Sequence, residues 1–136
     1  VQHNARYLRL VKKFASIITG QFFGHLHSDT FRLIYSDSGK PVSSIFLAPS
    51  VTPKRTSSGI NNPGLRLYKI EVDTGQILDY TQYYLDLQTA NQKGFAQWEV
   101  EYNLTSYYEL SQVTPTKLHQ LKESFKSEDY GSFRRY

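Results

Sequence analysis

Ile17-Ile18-Thr19-Gly20-Gln21-Phe22-Phe23-Gly24-His25-Leu26-His27-Ser28-Asp29 is the stretch whose reading governs the rest of the chain. An apolar run rich in Ile and Phe reads as a buried strand. Gly24, the residue type that turns most freely, ends it. Two histidines follow one residue apart, with a carboxylate two positions further on. In extended backbone side chains alternate, so His25 and His27 are predicted to share a face with Cβ atoms roughly 6–7 Å apart. That separation suits two imidazoles reaching one metal, or one each of two metals about 3.5–4 Å apart. A loop at the carboxyl end of a buried strand is also where open α/β sheets place ligands.

Upstream, Asn4–Ala15 puts Tyr7, Leu8, Leu10, Val11, Phe14 and Ala15 on one stripe, with Arg6, Arg9, Lys12 and Lys13 mostly opposite. This predicts an amphipathic helix against a sheet, with Asn4 placed to cap it and the late lysines at the negative end of its dipole. Downstream, Thr30–Ser36 alternates Phe31, Leu33 and Tyr35 with Thr30, Arg32 and Ile34, a half-buried strand. Asp37-Ser38-Gly39-Lys40 is a turn, and Val42–Ala48 a second, more buried strand, so the two read as a hairpin. Pro49–Gly64 reads as a long loop without structure, a kind of segment that is often functional. Lys54 and Arg55 at its tip are either phosphate contacts or solvated charges. Leu65–Val72, the turn Asp73-Thr74-Gly75-Gln76 and Ile77–Leu87 form another hairpin, in which Tyr80, Tyr83, Tyr84 and Leu85 give a large aromatic surface.

Trp98–Tyr102 alternates apolar and acidic residues as a short strand or extended arm; Glu99 and Glu101 are a carboxylate pair or a solvated face. Thr114-Pro115 opens a helix, Thr114 as N-cap and Pro115 at the first helical position, with Leu118, Leu121, Lys122 and Phe125 as its stripe. Glu128–Tyr136 reads as a frayed end. His3 reads as a solvated terminal residue and His119 as a packing or surface residue.

Composition narrows the function classes. The chain has 136 residues, enough for one small domain, with 39% hydrophobic and 15% aromatic content. Eleven Tyr and eight Phe must therefore carry much of the core, leaving hydroxyls to be hydrogen-bonded. Without cysteine, a disulfide scaffold and a Cys zinc site are excluded. No apolar run is long enough to span a bilayer. The net charge of +4 comes from Lys and Arg in runs no longer than two, a poor match to a nucleic-acid polymer. The start Val1-Gln2-His3-Asn4 has neither initiator Met nor signal-peptide core, and reads as a piece of a longer or processed protein.

The Gly24-His25-Leu26-His27 string resembles the C-terminal histidine motif of the calcineurin-like metallophosphoesterases. The wider string Gly20–Asp29 is similar to the acid sphingomyelinase family and its phosphodiesterase relatives. The resemblance continues through Phe46-Leu47-Ala48-Pro49-Ser50-Val51-Thr52-Pro53, Asn61-Asn62-Pro63-Gly64-Leu65-Arg66-Leu67-Tyr68, Tyr83-Tyr84-Leu85-Asp86-Leu87, Ala90-Asn91, Trp98 and Glu101-Tyr102. It implies an α/β (α+β) fold: the C-terminal half of a two-layer metallophosphoesterase sandwich over residues 1–88, then the start of a helical C-terminal extension over 89–136. It also implies a zinc-dependent phosphodiesterase, two zinc ions per full-length enzyme, and a phosphodiester small molecule or lipid headgroup as substrate. His25 and His27 inherit metal-binding roles, one on each ion. Asp29 either orients a ligand from behind or caps the turn. A secreted or lysosomal setting is implied, with peripheral membrane contact, and there Asn103-Leu104-Thr105 is a glycosylation sequon.

The family's remaining metal ligands and its catalytic histidines all lie well before its Gly-His-x-His, and only 24 residues precede His25 here. A catalytic zinc needs about three protein ligands and an open position. The isolated chain is therefore expected to be inactive, its missing ligands supplied by an upstream segment of the same parent. The other reading is a truncated, non-catalytic member that binds through its Tyr-rich strand.

Overall fold

In a computed structural model that describes residues 3–53, 55–56 and 59–126, the chain is mixed α and β, as its patterning predicts. Helix α1 (Asn4–Lys13) precedes β1 (Phe22–Phe23), and the first hairpin is β2 (Thr30–Tyr35) with β3 (Pro41–Leu47). The loop after it carries two short strands, β4 (Arg55–Thr56) and β5 (Gly59–Ile60). The second hairpin is β6 (Gly64–Ile70) with β7 (Ile77–Leu85), followed by α2 (Leu87–Lys93), β8 (Trp98–Asn103), α3 (Leu104–Tyr107) and α4 (Pro115–Ser124).

The expected hairpins are both present. Thr30 pairs with Leu47 and Phe31 with Phe46 across β2 and β3, and the turn closes with Ser36 N–H donating to the Lys40 carbonyl at 2.8 Å. Gly39 takes φ +80° there, a conformation open to it because it has no Cβ. Strand β1 adds parallel to β3, giving the order β1-β3-β2. A second three-stranded sheet has the order β6-β7-β8, antiparallel throughout, with bulges near Ile70 and Tyr83. One core joins the two: Phe46 from β3, Ile77 and Tyr80 from β7, Leu104 from α3, Val113, and Leu118 and Leu121 from α4. It draws on residues from both sides of position 88.

Several expectations need correction. The strand foreseen from Ile17 shrinks to Phe22–Phe23, both half-exposed, because Ile17 and Ile18 N–H bond back to the Phe14 carbonyl and prolong the turn of α1. Ile17 itself is 72% exposed. Helix α1 stops at Lys13, two residues early, and His3 occupies its N-cap position without a side-chain bond, so Asn4 is not the cap. The Pro49–Gly64 loop is not structureless, since β4 and β5 pair within it. Strand β7 ends two residues short because Asp86 caps α2: its carboxylate accepts from Thr89 N–H at 3.1 Å and from the Thr89 hydroxyl at 2.7 Å. The aromatic surface expected of β7 is interrupted too, as Tyr80 is only 4% exposed and belongs to the core. Glu128–Tyr136 lies outside the described residues.

Helix α4 starts as its sequence predicts. Thr114 Oγ1 accepts from Lys117 N–H at 3.2 Å, Pro115 is the first helical residue, and Leu118 and Leu121 are buried. Thr114→Ala is expected to lower unfolding free energy by about 1 kcal/mol, while Thr114→Asn, which keeps an acceptor, changes it by a few tenths; urea titration reads both.

Candidate functional site

The histidine pair sits between β1 and β2 in a loop that makes little regular structure. Leu26 N–H donates to the Gly24 carbonyl at 2.9 Å, and Ser28 Oγ to the Leu26 carbonyl at 3.2 Å. His25 has φ +72° and His27 φ +54°. The backbone is therefore not extended, and the alternation that predicted a shared strand face does not hold. Left-handed backbone costs a residue with a Cβ roughly 1–2 kcal/mol. Two such residues flanking one leucine persist only where the surroundings over-determine them, as at ligand sites.

His27 is half-buried and borders a groove of about 480 Å³ that Asp29, Ser50, Asn62, Tyr84 and Glu101 also line. His25 is exposed. Neutral imidazole is a good zinc donor, so the pair suits that metal in kind. It falls short in number: among the described residues no group of three or more His, Cys, Asp and Glu side chains is placed to hold a metal ion. The two histidines fit zinc as part of a ligand set.

Asp29 is the anchor of this loop. Its Oδ1 accepts from the Arg66 guanidinium and its Oδ2 from the Tyr102 hydroxyl, and neither imidazole is among its hydrogen-bond partners. Arg66, on β6, has a side chain that is 1% exposed. Its Nε donates to Gln82 Oε1 at 3.0 Å, and its Nη1 to the Leu47 carbonyl and the Tyr68 hydroxyl, both at 3.4 Å. The guanidinium lies 3.8 Å over the Tyr80 ring, a cation–π contact of the desolvated kind. The Tyr80 and Tyr102 hydroxyls meet at 3.0 Å. One buried cation thus ties the histidine loop to β3, β6, β7 and β8.

The electrostatics follow from burial. Burial alone pulls the Arg66 pKa down, but the neighbouring Tyr80 and Asp29 outweigh it and hold it above its ordinary value. Burial, then Tyr80 and Asp29, pushes the Tyr102 hydroxyl well above the usual phenol range, so it stays a proton donor to Asp29. Burial and the charge of Asp29 raise the Glu101 carboxyl, with Arg66 opposing. A carboxyl with a raised folded pKa adds stability below its unfolded pKa, and that stability is lost as pH rises through the folded value. Glu101→Gln is therefore expected to raise stability at pH 7 and leave it unchanged at pH 3, read by thermal unfolding at the two pH values.

The other candidates are placed as follows. Glu99 accepts from the Tyr84 hydroxyl at 3.5 Å, while Glu101 borders the groove, so the two carboxylates have different surroundings. His119, on α4, bonds Tyr35 through Nδ1 at 3.0 Å and meets its ring edge-on at 5.6 Å. His3 is exposed. Lys54 and the Arg55 side chain lie outside the described residues. Asn103 Oδ1 caps α3 by accepting from Ser106 N–H at 3.2 Å, and its Nδ2, the atom a glycan would take, is 3.4 Å from Thr81 Oγ1.

Sequence reasoning missed Arg66, Tyr80 and Tyr102 as site-supporting residues. Gly64 supports the same region by having no side chain. A Cβ there would lie 2.5 Å from Pro49 Cγ and 3.0 Å from Gln82 Nε2, the amide whose oxygen holds Arg66. Gly64→Ala is expected to cost about 1–3 kcal/mol by overpacking, measured by urea unfolding.

Residues 40–136 match the family described as the acid sphingomyelin phosphodiesterase C-terminal region. The chain is 40% identical over 136 residues to a cyclic GMP-AMP phosphodiesterase of Bos taurus, a match covering 98% of the chain and 30% of that protein. It is 36% identical over 138 residues to the human acid sphingomyelinase-like phosphodiesterase 3b, with the same two coverages. Identity to the Bos taurus sphingomyelin phosphodiesterase is 36% over 122 residues, 85% of the chain and 19% of that protein. The chain thus spans less than a third of the length of these relatives.

Proposed function

Since the chain belongs to the acid sphingomyelin phosphodiesterase family, as a bearer of its C-terminal region, we propose that it contributes two metal-binding histidines to a zinc-dependent phosphodiesterase. The observation that carries this reading is the loop itself. His25 and His27 both hold left-handed backbone, His27 beside a polar groove, on a segment anchored by the ion pair of Asp29 with the buried Arg66. In this reading the remaining zinc ligands lie in the larger part of the relatives that the chain does not span, which also accounts for the short donor set. The implied sandwich is completed by that part, outside the secondary structure described above.

The chemistry that a pair of zinc ions supplies is Lewis-acid polarisation of a phosphoryl group and a lowered pKa for water. This chain's residues hold and orient. His25 and His27 each give one neutral imidazole nitrogen. Asn62, which lines the groove, accepts from the Leu87 N–H through its amide oxygen at 3.2 Å. Tyr84 and Ser50 line the same groove, the Tyr84 hydroxyl donating to Glu99 and Ser50 Oγ bonded to Thr52 Oγ1 at 2.7 Å. The substrate class is a phosphodiester, a nucleotide or a lipid headgroup; relatives carry names of both kinds. A secreted or lysosomal location, with peripheral membrane contact, goes with the reading, and no described helix is long and apolar enough to cross a membrane.

The test is a chimera in which this chain replaces the matching region of the Bos taurus cyclic GMP-AMP phosphodiesterase. Zinc-dependent hydrolysis of a chromogenic phosphodiester is expected from the chimera and not from the isolated chain. His25→Ala or His27→Ala should each lower kcat/KM by more than about 100-fold, beyond what loss of a supporting residue does. Full zinc content and rate in both variants would overturn the reading. The alternative, a non-catalytic binding module with an aromatic face, draws less on the structure because Tyr80 faces the core.

A further inference from the structure

The loop that bears the histidines has few bonds of its own, and its conformation is set from outside. Asp29, two residues past His27, spends both carboxylate oxygens on other strands: one on Arg66 of β6, the other on Tyr102 of β8. Those two partners are themselves fixed. Arg66 is held by Gln82, the Leu47 carbonyl and the Tyr80 face, and Tyr102 by the Tyr80 hydroxyl. Such a chain of bonds runs from the sheet core to the loop with no exposed link except Asp29, whose side chain is 30% exposed. The loop's backbone bond from Leu26 to Gly24 closes a single turn and leaves His27 without backbone pairing among the described bonds.

We propose that Arg66 and Tyr102 are positioning residues for the histidine pair, acting through Asp29. Resting on the zinc reading above, the inference is that the separation and direction of the two imidazoles are set by the β6-β7-β8 sheet rather than by the loop. Three features favour this over a purely structural ion pair. The acceptor sits at the exit of the histidine loop, inside no regular element. Both of its oxygens are used, which fixes carboxylate rotation as well as position. And the two residues it follows hold backbone angles that the chain does not adopt unaided.

The experiment uses the chain itself, with zinc ion as the probe. Tyr102→Phe deletes one oxygen, and Asp29→Asn keeps the shape while weakening both bonds. In metal-free protein, amide hydrogen exchange at Leu26 is expected to rise about tenfold or more in each variant, and the His25 and His27 ring resonances to shift. Exchange at Ile34 and Leu118 should stay as in the parent, which separates loop release from general loosening. Zinc affinity followed by those ring resonances should fall about 10–100-fold, the range known for residues that orient metal ligands. Unchanged Leu26 exchange and unchanged ring resonances in Tyr102→Phe overturn the proposal. Full zinc content in the chimera carrying His25→Ala and His27→Ala overturns the metal reading instead, since the metal-free exchange of the chain still reports on the clamp. Should Asp29→Asn unfold, the single-oxygen variant decides the matter alone.

Discussion

Arg66→Leu is expected to lower the unfolding free energy by about 3 kcal/mol, near the bottom of the 3–5 kcal/mol range for removing one partner of a buried ion pair. The range applies because the Arg66 side chain is 1% exposed and its guanidinium also serves Gln82, Tyr68 and the Leu47 carbonyl. The lower end applies because Asp29 is 30% exposed and keeps its Tyr102 donor, so water rehydrates part of the orphaned charge. Arg66→Lys is expected to recover little. A single ammonium cannot reproduce a planar fork that donates in several directions while stacking on Tyr80. Urea unfolding of both variants reads these losses. Val72→Ala, at a residue 92% exposed, supplies the baseline of less than about 0.5 kcal/mol. Were Arg66→Leu to fall on that baseline, the ion pair would be an ornament of the fold and its reach into the histidine loop would go with it.

Why this residue escaped a reading of the sequence is a matter of what periodicity sees. In Leu65-Arg66-Leu67-Tyr68, alternation by hydrophobicity turns the leucines inward. The structure does the reverse for one of them: Leu67 is 59% exposed, while Arg66 and Tyr68 face the interior beside Tyr80 and Tyr102. A cation is buried there because Asp29 comes to meet it from 37 positions away, and no local pattern reports so distant a partner. The same limit explains Ile17–Phe23. Its composition is that of a buried strand, yet only Phe22 and Phe23 find a neighbour to pair with, on β3. Where the signal is local, it served well. The turns at Asp37–Lys40 and Asp73–Gln76 formed, as did the Thr114-Pro115 start of α4. Asp86 and Gly94 carried a legible cap and stop for α2, with Gly94 at φ +75°, but an intervening Leu-Gln-Thr-Ala-Asn-Gln-Lys has no apolar stripe to draw the eye. The histidine pair was legible as a motif; its left-handed backbone was not.

The largest loss from an uncharged side chain is expected at Phe46, which is 1% exposed and belongs to the core that the two sheets share. Its ring lies 6.4 Å from Phe22, 6.1 Å from Tyr68 and 6.0 Å from Tyr80, so it touches β1, β6 and β7 from its seat on β3. Phe46→Ala should cost about 3–5 kcal/mol, lost transfer energy plus the cavity left behind. For a chain of this size that is a fall in Tm on the order of 10–20 °C, read by thermal unfolding. Ile17→Ala, in an apolar run of equal hydrophobicity but 72% exposed, should cost less than about 0.5 kcal/mol. Equal losses at the two positions would mean that the sheets do not share a core. The loss at Phe46 also bears on function. Among the described residues β1 pairs with β3 alone, through Phe22 with Phe46 and Phe23 with Leu47. Emptying the Phe46 site removes one of the two rings that Phe22 meets, the other being Tyr68 at 4.6 Å, and β1 is the upstream end of the histidine loop just as Asp29 is the downstream end. If the zinc reading proposed above holds, zinc affinity should weaken in Phe46→Ala even at temperatures where the chain remains folded, because a loop held less firmly at its upstream end keeps its imidazoles in place less well.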